Sequence, residues 1–260
     1  MSLHILALET SSAWCGVALL RASDGEPVHI EMREHQGVQE HSARLIPMID
    51  EVLTASGVDR SAIDAIAFGQ GPGGFTGLRV ACGVAQGLGF ALERPVVPVV
   101  SHAAVAVQLE PQLDQVVVIA MDARMQEVYL SAFQWTAAGD LLPLYGPQLM
   151  ATEGLEAWVR QSLPVINGKT ARLLVAGDAM AAYPDAFPAL ADAERGPSLR
   201  PTATGVAVLA QRAFERGEAI APDLAMPLYV RDKVAFTTAE RTLGAGGNPR
   251  VAAPAADGVA

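Results

Sequence analysis

The alternation of apolar and polar stretches along the chain predicts strands first. Residues 3–9 form a short apolar run ending in Glu9, the pattern of a buried strand. The polar turn Thr10-Ser11-Ser12-Ala13 separates it from a second strand over 14–21. Asp24-Gly25 signals a hairpin. In the next strand, over 27–33, Val28, Ile30 and Met32 alternate with His29, Glu31 and Arg33. The opening is therefore a three-stranded antiparallel meander. An amphipathic helix follows over 39–56, with Leu45, Ile46, Met48, Ile49, Val52 and Leu53 on its apolar side and Gly57 at its C-cap. Pro47 lies inside this pattern and requires the helix to start late or to bend. So broad a stripe either packs on the chain's own sheet or offers part of itself to another protein.

The apolar run 63–68 feeds into Gly69-Gln70-Gly71-Pro72-Gly73-Gly74-Phe75-Thr76-Gly77, and a small-residue segment over 78–92 leaves it. That reads as strand, tight turn, helix. Along the helix, interior glycine costs about 1 kcal/mol relative to alanine. Small residues four apart, Gly83 and Gly87, let backbones approach closely, so this helix is expected to press against a second helix or the sheet. The two helices together are the expected subunit interface, through His41, Leu45, Met48, Ile49, Val52, Arg79, Gly83, Gln86 and Gly87.

A strand over 96–100 completes the order β-β-β-α-β-α-β. Strands over 116–122, 127–135 and 140–150, a helix from 152 to about 163 and a strand over 173–176 repeat the first part of it. Leu6-Ala7-Leu8-Glu9 and Ile119-Ala120-Met121-Asp122 each end an apolar strand in a carboxylate and then turn into a hairpin. The expected fold is an α/β duplication with two facing subdomains. One comprises 1–103 plus about 202–235, including a helix over 202–216 and an extended segment over 227–231; the other comprises 104–201. Residues 241–260, rich in Gly, Ala and Pro without periodicity, are expected to be a disordered tail.

The turn over 69–77 holds five glycines. Each costs roughly 0.5–1 kcal/mol of backbone entropy where the chain is regular, so the turn needs a reason: positive φ, or the close approach of a ligand or a second backbone. Gly69-x-Gly71-x-x-Gly74 fits the dinucleotide spacing, but the next strand ends in Ser101-His102 where that fingerprint wants a carboxylate. A Walker A loop is excluded because Gly77 is followed by Leu78 and not by Lys. A turn that only packs helix on sheet, and one that holds an anion or a partner backbone, both remain.

Composition narrows the function classes. Hydrophobic residues make up 51% and charged residues 18%, so the chain is globular. No apolar run of about 18 residues free of charge is present, so no membrane span is expected. Met1-Ser2-Leu3-His4 has neither a cationic region nor a cleavage pattern, so no signal peptide is expected. Cys15 and Cys82 in apolar settings point to a reducing, cytoplasmic location. Net charge is −10, and Lys169 and Lys233 are the only lysines. A chain this acidic is not expected to hold nucleic acid unaided, since Lys and Arg contacts to phosphate dominate that affinity.

Two facing β-β-β-α-β halves with acid-bearing hairpins resemble the actin, sugar kinase and Hsp70 group, the ribonuclease-H-like folds in which ATP lies between the halves. Four segments narrow the resemblance: Leu8-Glu9-Thr10-Ser11-Ser12, Glu40-His41-Ser42, Gly71-Pro72-Gly73-Gly74-Phe75-Thr76-Gly77-Leu78-Arg79 and Pro227-Leu228-Tyr229-Val230-Arg231. Together they resemble the TsaB (YeaZ) family of tRNA threonylcarbamoyladenosine biosynthesis. The resemblance implies a non-catalytic relative of the transferase TsaD. It would bind TsaD through the first two helices, be joined by the ATPase TsaE, form a homodimer when alone, and meet tRNA only within the complex. It implies no cofactor for the chain by itself, with ATP or ADP at the complex interface. A nucleotide cleft, if kept, would involve Glu9, Thr10, Ser11, Ser12, Gly71, Gly73 and Asp122.

TsaD-like proteins hold a metal with two histidines four apart. Here His102 is followed by Ala106 at that spacing, and no two of the five histidines are so spaced, so no metal is expected. A lone His102 is expected to cap a helix or sit at the surface. No catalytic residue is assigned. The enzyme alternative is an ATP-dependent kinase or transferase centred on Glu9, Thr10 and Asp122. A glycoprotease-like peptidase is less supported, because Ser11, Ser12 and His41 occur without a Gly-x-Ser-x-Gly elbow.

Overall fold

The computed structural model describes residues 2–231, except 38, 111, 114, 156, 159–164, 167, 168, 171 and 188–193. Five strands open the chain: β1 (Ser2–Glu9), β2 (Trp14–Ser23), β3 (His29–Gln36), β4 (Ala65–Gly71) and β5 (Val96–Val100). Between them lie α1 (His41–Ser56) and α2 (Phe75–Leu92). Then come α3 (Ser101–Ala106), β6 (Gln115–Asp122), β7 (Glu127–Trp135), β8 (Leu141–Ala151), the short strands β9 (Val165–Ile166) and β10 (Lys169–Thr170), and β11 (Arg172–Ala176). The chain continues with α4 (Ala179–Ala182), β12 (Glu194–Arg195) and α5 (Ala203–Glu215). The expected tail over 241–260 and much of the helix expected over 152–163 lie outside the described residues.

The duplication is visible in the sheets. One has the order β3-β2-β1-β4-β5 and the other β8-β7-β6-β11-β12. In both, the central strand pairs antiparallel with the next strand of its meander and parallel with the strand on its other side. Because strand side chains alternate between faces, β1 buries Leu6 and Leu8 against one helix layer and Ile5 and Ala7 against another. On the first face, α1 contributes Leu45, Met48 and Val52 and α2 contributes Ala81 and Ala85. On the second, α5 contributes Ala203, Val206, Ala207 and Ala210. Helix α3 joins the halves: Ala104 belongs to the first core, while Val105 and Ala106 pack on the second sheet. The boundary expected between 103 and 104 thus falls inside a helix shared by both. Cys15 and Cys82 are buried free thiols, and burial pushes the Cys15 thiol up to about 11.

Several expectations need correction. Pro47 does not delay α1, which begins six residues earlier at His41 and carries the proline internally. Strand β4 continues to Gly71 and α2 starts at Phe75, so the glycine stretch is divided between strand end and helix start. The sequence pattern misses α3, too short for a periodicity to register. On α1, Leu45, Met48, Ile49 and Val52 are core residues, at most 3% exposed, and not a docking surface. Their stripe is spent covering β1 and β2, and Ile46 is the large apolar side chain of α1 that faces solvent.

The glycines of α2 divide in the same way. A Cβ on Gly77 would overlap the Thr10 carbonyl oxygen, and one on Gly89 would crowd Pro222 and Val96. Gly83 and Gly87 have nothing within 4 Å of such an atom. Gly77→Ala should therefore cost about 1–3 kcal/mol by overpacking, read as a Tm lower by about 2–4 °C per kcal/mol. Gly83→Ala should instead raise Tm, by about 0.5–1 kcal/mol worth of helix propensity. Equal effects in a thermal melt would contradict this division.

Candidate functional site

The ends of β1 and β4 meet at the glycine turn. Gly71 has φ +113°, a conformation that favours glycine. The Gly74 N–H donates to the Ser11 carbonyl at 2.7 Å, and Thr10 Oγ1 donates to the Gly77 carbonyl at 2.6 Å. A Cβ on Gly73 would collide with the Ser11 backbone. His41, buried at the start of α1, donates from Nε2 to the Ser12 carbonyl at 2.9 Å. The second backbone that the glycines admit is therefore the chain's own 10–12 segment. The turn's N–H at Gly74 is used by a carbonyl, not left for a phosphate.

Glu9 is 2% exposed and folds inward over Gly69, whose missing Cβ makes room for the carboxylate. Oε1 accepts from the Ser11 N–H at 2.6 Å, and Oε2 accepts from Ser101 Oγ at 3.1 Å. Ser101 Oγ in turn accepts from the Gly71 N–H at 3.2 Å. Burial without a cation raises the Glu9 carboxyl above its ordinary value, and these hydrogen bonds offset only part of that. Ser101, which ties β1, β4 and α3 together, carries no signal in the sequence. His102 is not at the surface: it is fully buried with Nδ1 on Ser131 Oγ of β7, and burial lowers it to about 3, so it is neutral.

Asp122, the counterpart of Glu9 in the second half, has other partners. Oδ1 accepts from the Arg124 N–H at 2.7 Å and from Tyr183 Oη at 2.8 Å, while the Arg124 guanidinium lies 3.0 Å from Oδ2. The Asp122 N–H donates to Asp178 Oδ1, a carboxyl that burial raises. Tyr183 is pushed up to about 12 by burial and by its bond to Asp122. Each acid is thus engaged within its own half. Among the described residues no three His, Cys, Asp or Glu side chains come together as a metal would need.

The hairpin after Asp122 is strained. Arg124, Met125 and Gln126 have φ of +63°, +57° and +58°. Left-handed backbone costs a non-glycine residue roughly 1–2 kcal/mol and persists only where the surroundings enforce it. Here the enforcement comes from the segment 227–231. Leu228 N–H donates to the Gln70 carbonyl at 2.6 Å in the first half. Arg231 donates to the Ala123 carbonyl at 2.6 Å and pairs with Glu127 at 2.7 Å, both side chains under 10% exposed. This segment is an irregular strap between the halves.

The outward face of α2 carries Arg79, Gly83 and Gly87, with Gln86 turned to the Ala225 carbonyl at 3.0 Å. Exposed Phe90, Leu224 and Met226 flank it, at 60%, 61% and 70%. Among the described residues α2 is also the one helix long and apolar enough to cross a membrane, but its Leu78, Ala81, Cys82 and Ala85 are buried in the chain's own core.

The raised Glu9 carboxyl gives a pH signature. An acid held above its unfolded value of 4.5 destabilises the fold at higher pH, and that penalty vanishes once the pH falls below 4.5. Glu9→Gln should therefore raise Tm at pH 7 and lose the advantage as the melt is moved down toward pH 4. A variant that gains the same at both pH values would exclude a penalty from ionised Glu9.

The family model described as TsaD, tRNA N6-adenosine threonylcarbamoyltransferase, matches residues 31–238. The Escherichia coli tRNA threonylcarbamoyladenosine biosynthesis protein TsaB is 32% identical over 237 residues, covering 90% of this chain and 97% of that protein. Its Haemophilus influenzae namesake is 48% identical over 132 residues, an alignment that spans 50% of this chain and 53% of the relative. A Pseudomonas aeruginosa crystal structure, described as similar to peptidase YeaZ, superposes with a TM-score of 0.73 at 35% identity, covering 88% of this chain and all of that one. Near-complete alignment to a TsaB, the YeaZ-type structure and the match to the TsaD model lead to one assignment: the chain belongs to the TsaD-related TsaB (YeaZ) family.

Proposed function

We propose that the chain is a non-catalytic scaffold subunit in tRNA N6-threonylcarbamoyladenosine formation, binding and activating a TsaD-like transferase together with a TsaE-like ATPase. Its place in tRNA threonylcarbamoyladenosine biosynthesis follows from its family. The observation that supports the scaffold role is the pair Gly83 and Gly87. Both weaken α2 and neither is needed for packing within the chain, since a Cβ at either would meet nothing within 4 Å. Helix positions that give up stability for a smooth, solvent-facing surface, bordered by Phe90, Leu224 and Met226, suit the close approach of a partner helix. Of the interface residues expected from the sequence, Arg79, Gly83, Gln86 and Gly87 stay in this reading, while the buried side chains of α1 support it from beneath.

The chemistry at the cleft favours the same reading. Glu9, Thr10, Ser11 and the turn glycines are engaged with one another, and Asp122 is held by Arg124 and Tyr183. In this reading ATP or ADP binds at the interface of the complex, tRNA is met only through the complex, and a homodimer of the lone chain uses the same face of α2. The location is the cytoplasm.

Gly83→Leu should abolish co-elution with the TsaD-like partner while leaving Tm at or above that of the parent. Co-elution as strong as the parent's would refute the α2 interface. The lone chain, titrated with ATP and Mg²⁺ in a calorimeter and assayed for phosphate release, should show neither binding heat nor turnover. Turnover lost in Asp122→Ala would instead establish the kinase or transferase reading.

A further inference from the structure

A cavity of about 230 Å³ opens between the halves at the N-terminal end of α2. One wall is the first turn of α2, with Phe75 and Leu78; another is the strap, with Tyr229 and Val230; the third is the strained hairpin, with Met125 and Tyr129. Among the described residues the lining includes two arginines, Arg124 and Arg231, and no carboxylate, although the chain has 28 acidic residues against 18 basic ones. Arg231 is neutralised by Glu127. Arg124 pairs with Asp122 at 3.0 Å, while its side chain is 85% exposed. At the rim Arg79 lies 3.8 Å over the Phe75 ring and donates to Tyr229 Oη at 2.8 Å, so its partners there are aromatic and its charge is not cancelled by them. Phe75 and Tyr229 are themselves 5.5 Å apart. Three arginines here meet two carboxylates, so the site combines flat apolar walls with one net positive charge inside an acidic protein.

The left-handed tip supplies the second observation. Three successive non-glycine residues hold a disfavoured conformation, and the effect is to keep Arg124 and Met125 at the cavity. Bonds from the Arg124 N–H to the Asp122 carboxylate, from Arg231 to the Ala123 carbonyl and from the Thr152 N–H to the Gln126 carbonyl pin the tip on three sides. Backbone strain maintained by so many contacts is characteristic of a pre-organised site.

We propose that this cavity binds a small organic anion with a flat apolar body. The ring lies among Phe75, Tyr229 and the Met125 thioether, and the acid group faces Arg124, with Arg79 adding to the local field. The volume is below the range of roughly 300–1,000 Å³ usual for drug-sized ligands, which suits a single-ring acid. The site shares Arg79 with the outward face of α2 but uses neither Gly83 nor Gly87, so it does not depend on the scaffold reading.

Calorimetric titration of the full chain with phenylacetate and with neutral phenylacetamide tests this. Phenylacetate should bind, and the amide should bind about fivefold more weakly or worse, the scale of one partly exposed charge contact. Arg124→Gln should remove that preference without lowering Tm by more than a degree or so, as expected for an exposed side chain. Met125→Trp, at a position that is 44% exposed, should fill the cavity and abolish both titrations while the protein stays folded by circular dichroism. No heat from phenylacetate at millimolar concentration, equal affinity for acid and amide, or phenylacetate binding unchanged in both variants would each overturn the proposal.

Discussion

The contact on which this structure depends is the one between the 10–12 backbone and the glycine turn. The Gly74 N–H bonded to Ser11, the Thr10 hydroxyl bonded to Gly77 and the absent Cβ atoms of Gly73 and Gly77 bring two loop backbones to a separation that no other residue type permits. Three elements are positioned by it at once: the end of β1, the first turn of α2 and, through His41 on the Ser12 carbonyl, the first turn of α1. The same closeness engages two N–H groups that a phosphate cradle would use, those of Gly71 and Gly74, within the chain.

The two halves show how one duplicated plan diverges. The sheet orders match strand for strand. Between the two outer parallel strands, however, the first half carries the 18-residue α2, whereas among the described residues the second carries the four-residue α4 and a short 3-10 turn. The strand-end acids differ in the same sense. Glu9 is drawn into the protein and held by neutral donors, so burial dominates its energetics. Asp122 sits beside an arginine at a hairpin whose left-handed residues are stabilised from outside by the strap. A segment with no regular structure thus does what α3 does from inside: it fixes the halves to each other, through Leu228 on one side and Arg231 on the other.

Much of this was legible in one dimension. Alternation in β1 to β3, the carboxylate closing each central strand and the repeat of element types pointed to a duplicated α/β fold, because strand periodicity and hairpin signals are local properties of the chain. The motif ending in Tyr229-Val230-Arg231 was visible too, but nothing local shows that Tyr229 meets Phe75 and Arg79 or that Arg231 meets Glu127. Ser101 and His102 looked like the end of a strand. They start a helix too short for periodicity to reveal, and its burial between two sheets is a long-range fact.

The sequence by itself determined the class of fold, the duplication and the acidic character, which follow from composition and period, and its motifs carried the resemblance to the family. Tertiary structure decided which face of each element is used. On α1 the apolar stripe that invited an interface is consumed by the sheet, while on α2 glycines that look alike in the sequence separate into Gly77, pressed against a carbonyl, and Gly83, open to solvent. The reason is geometric: helical spacing defines which residues share a face, but only the packing of that helix on its sheet defines which face is left outside.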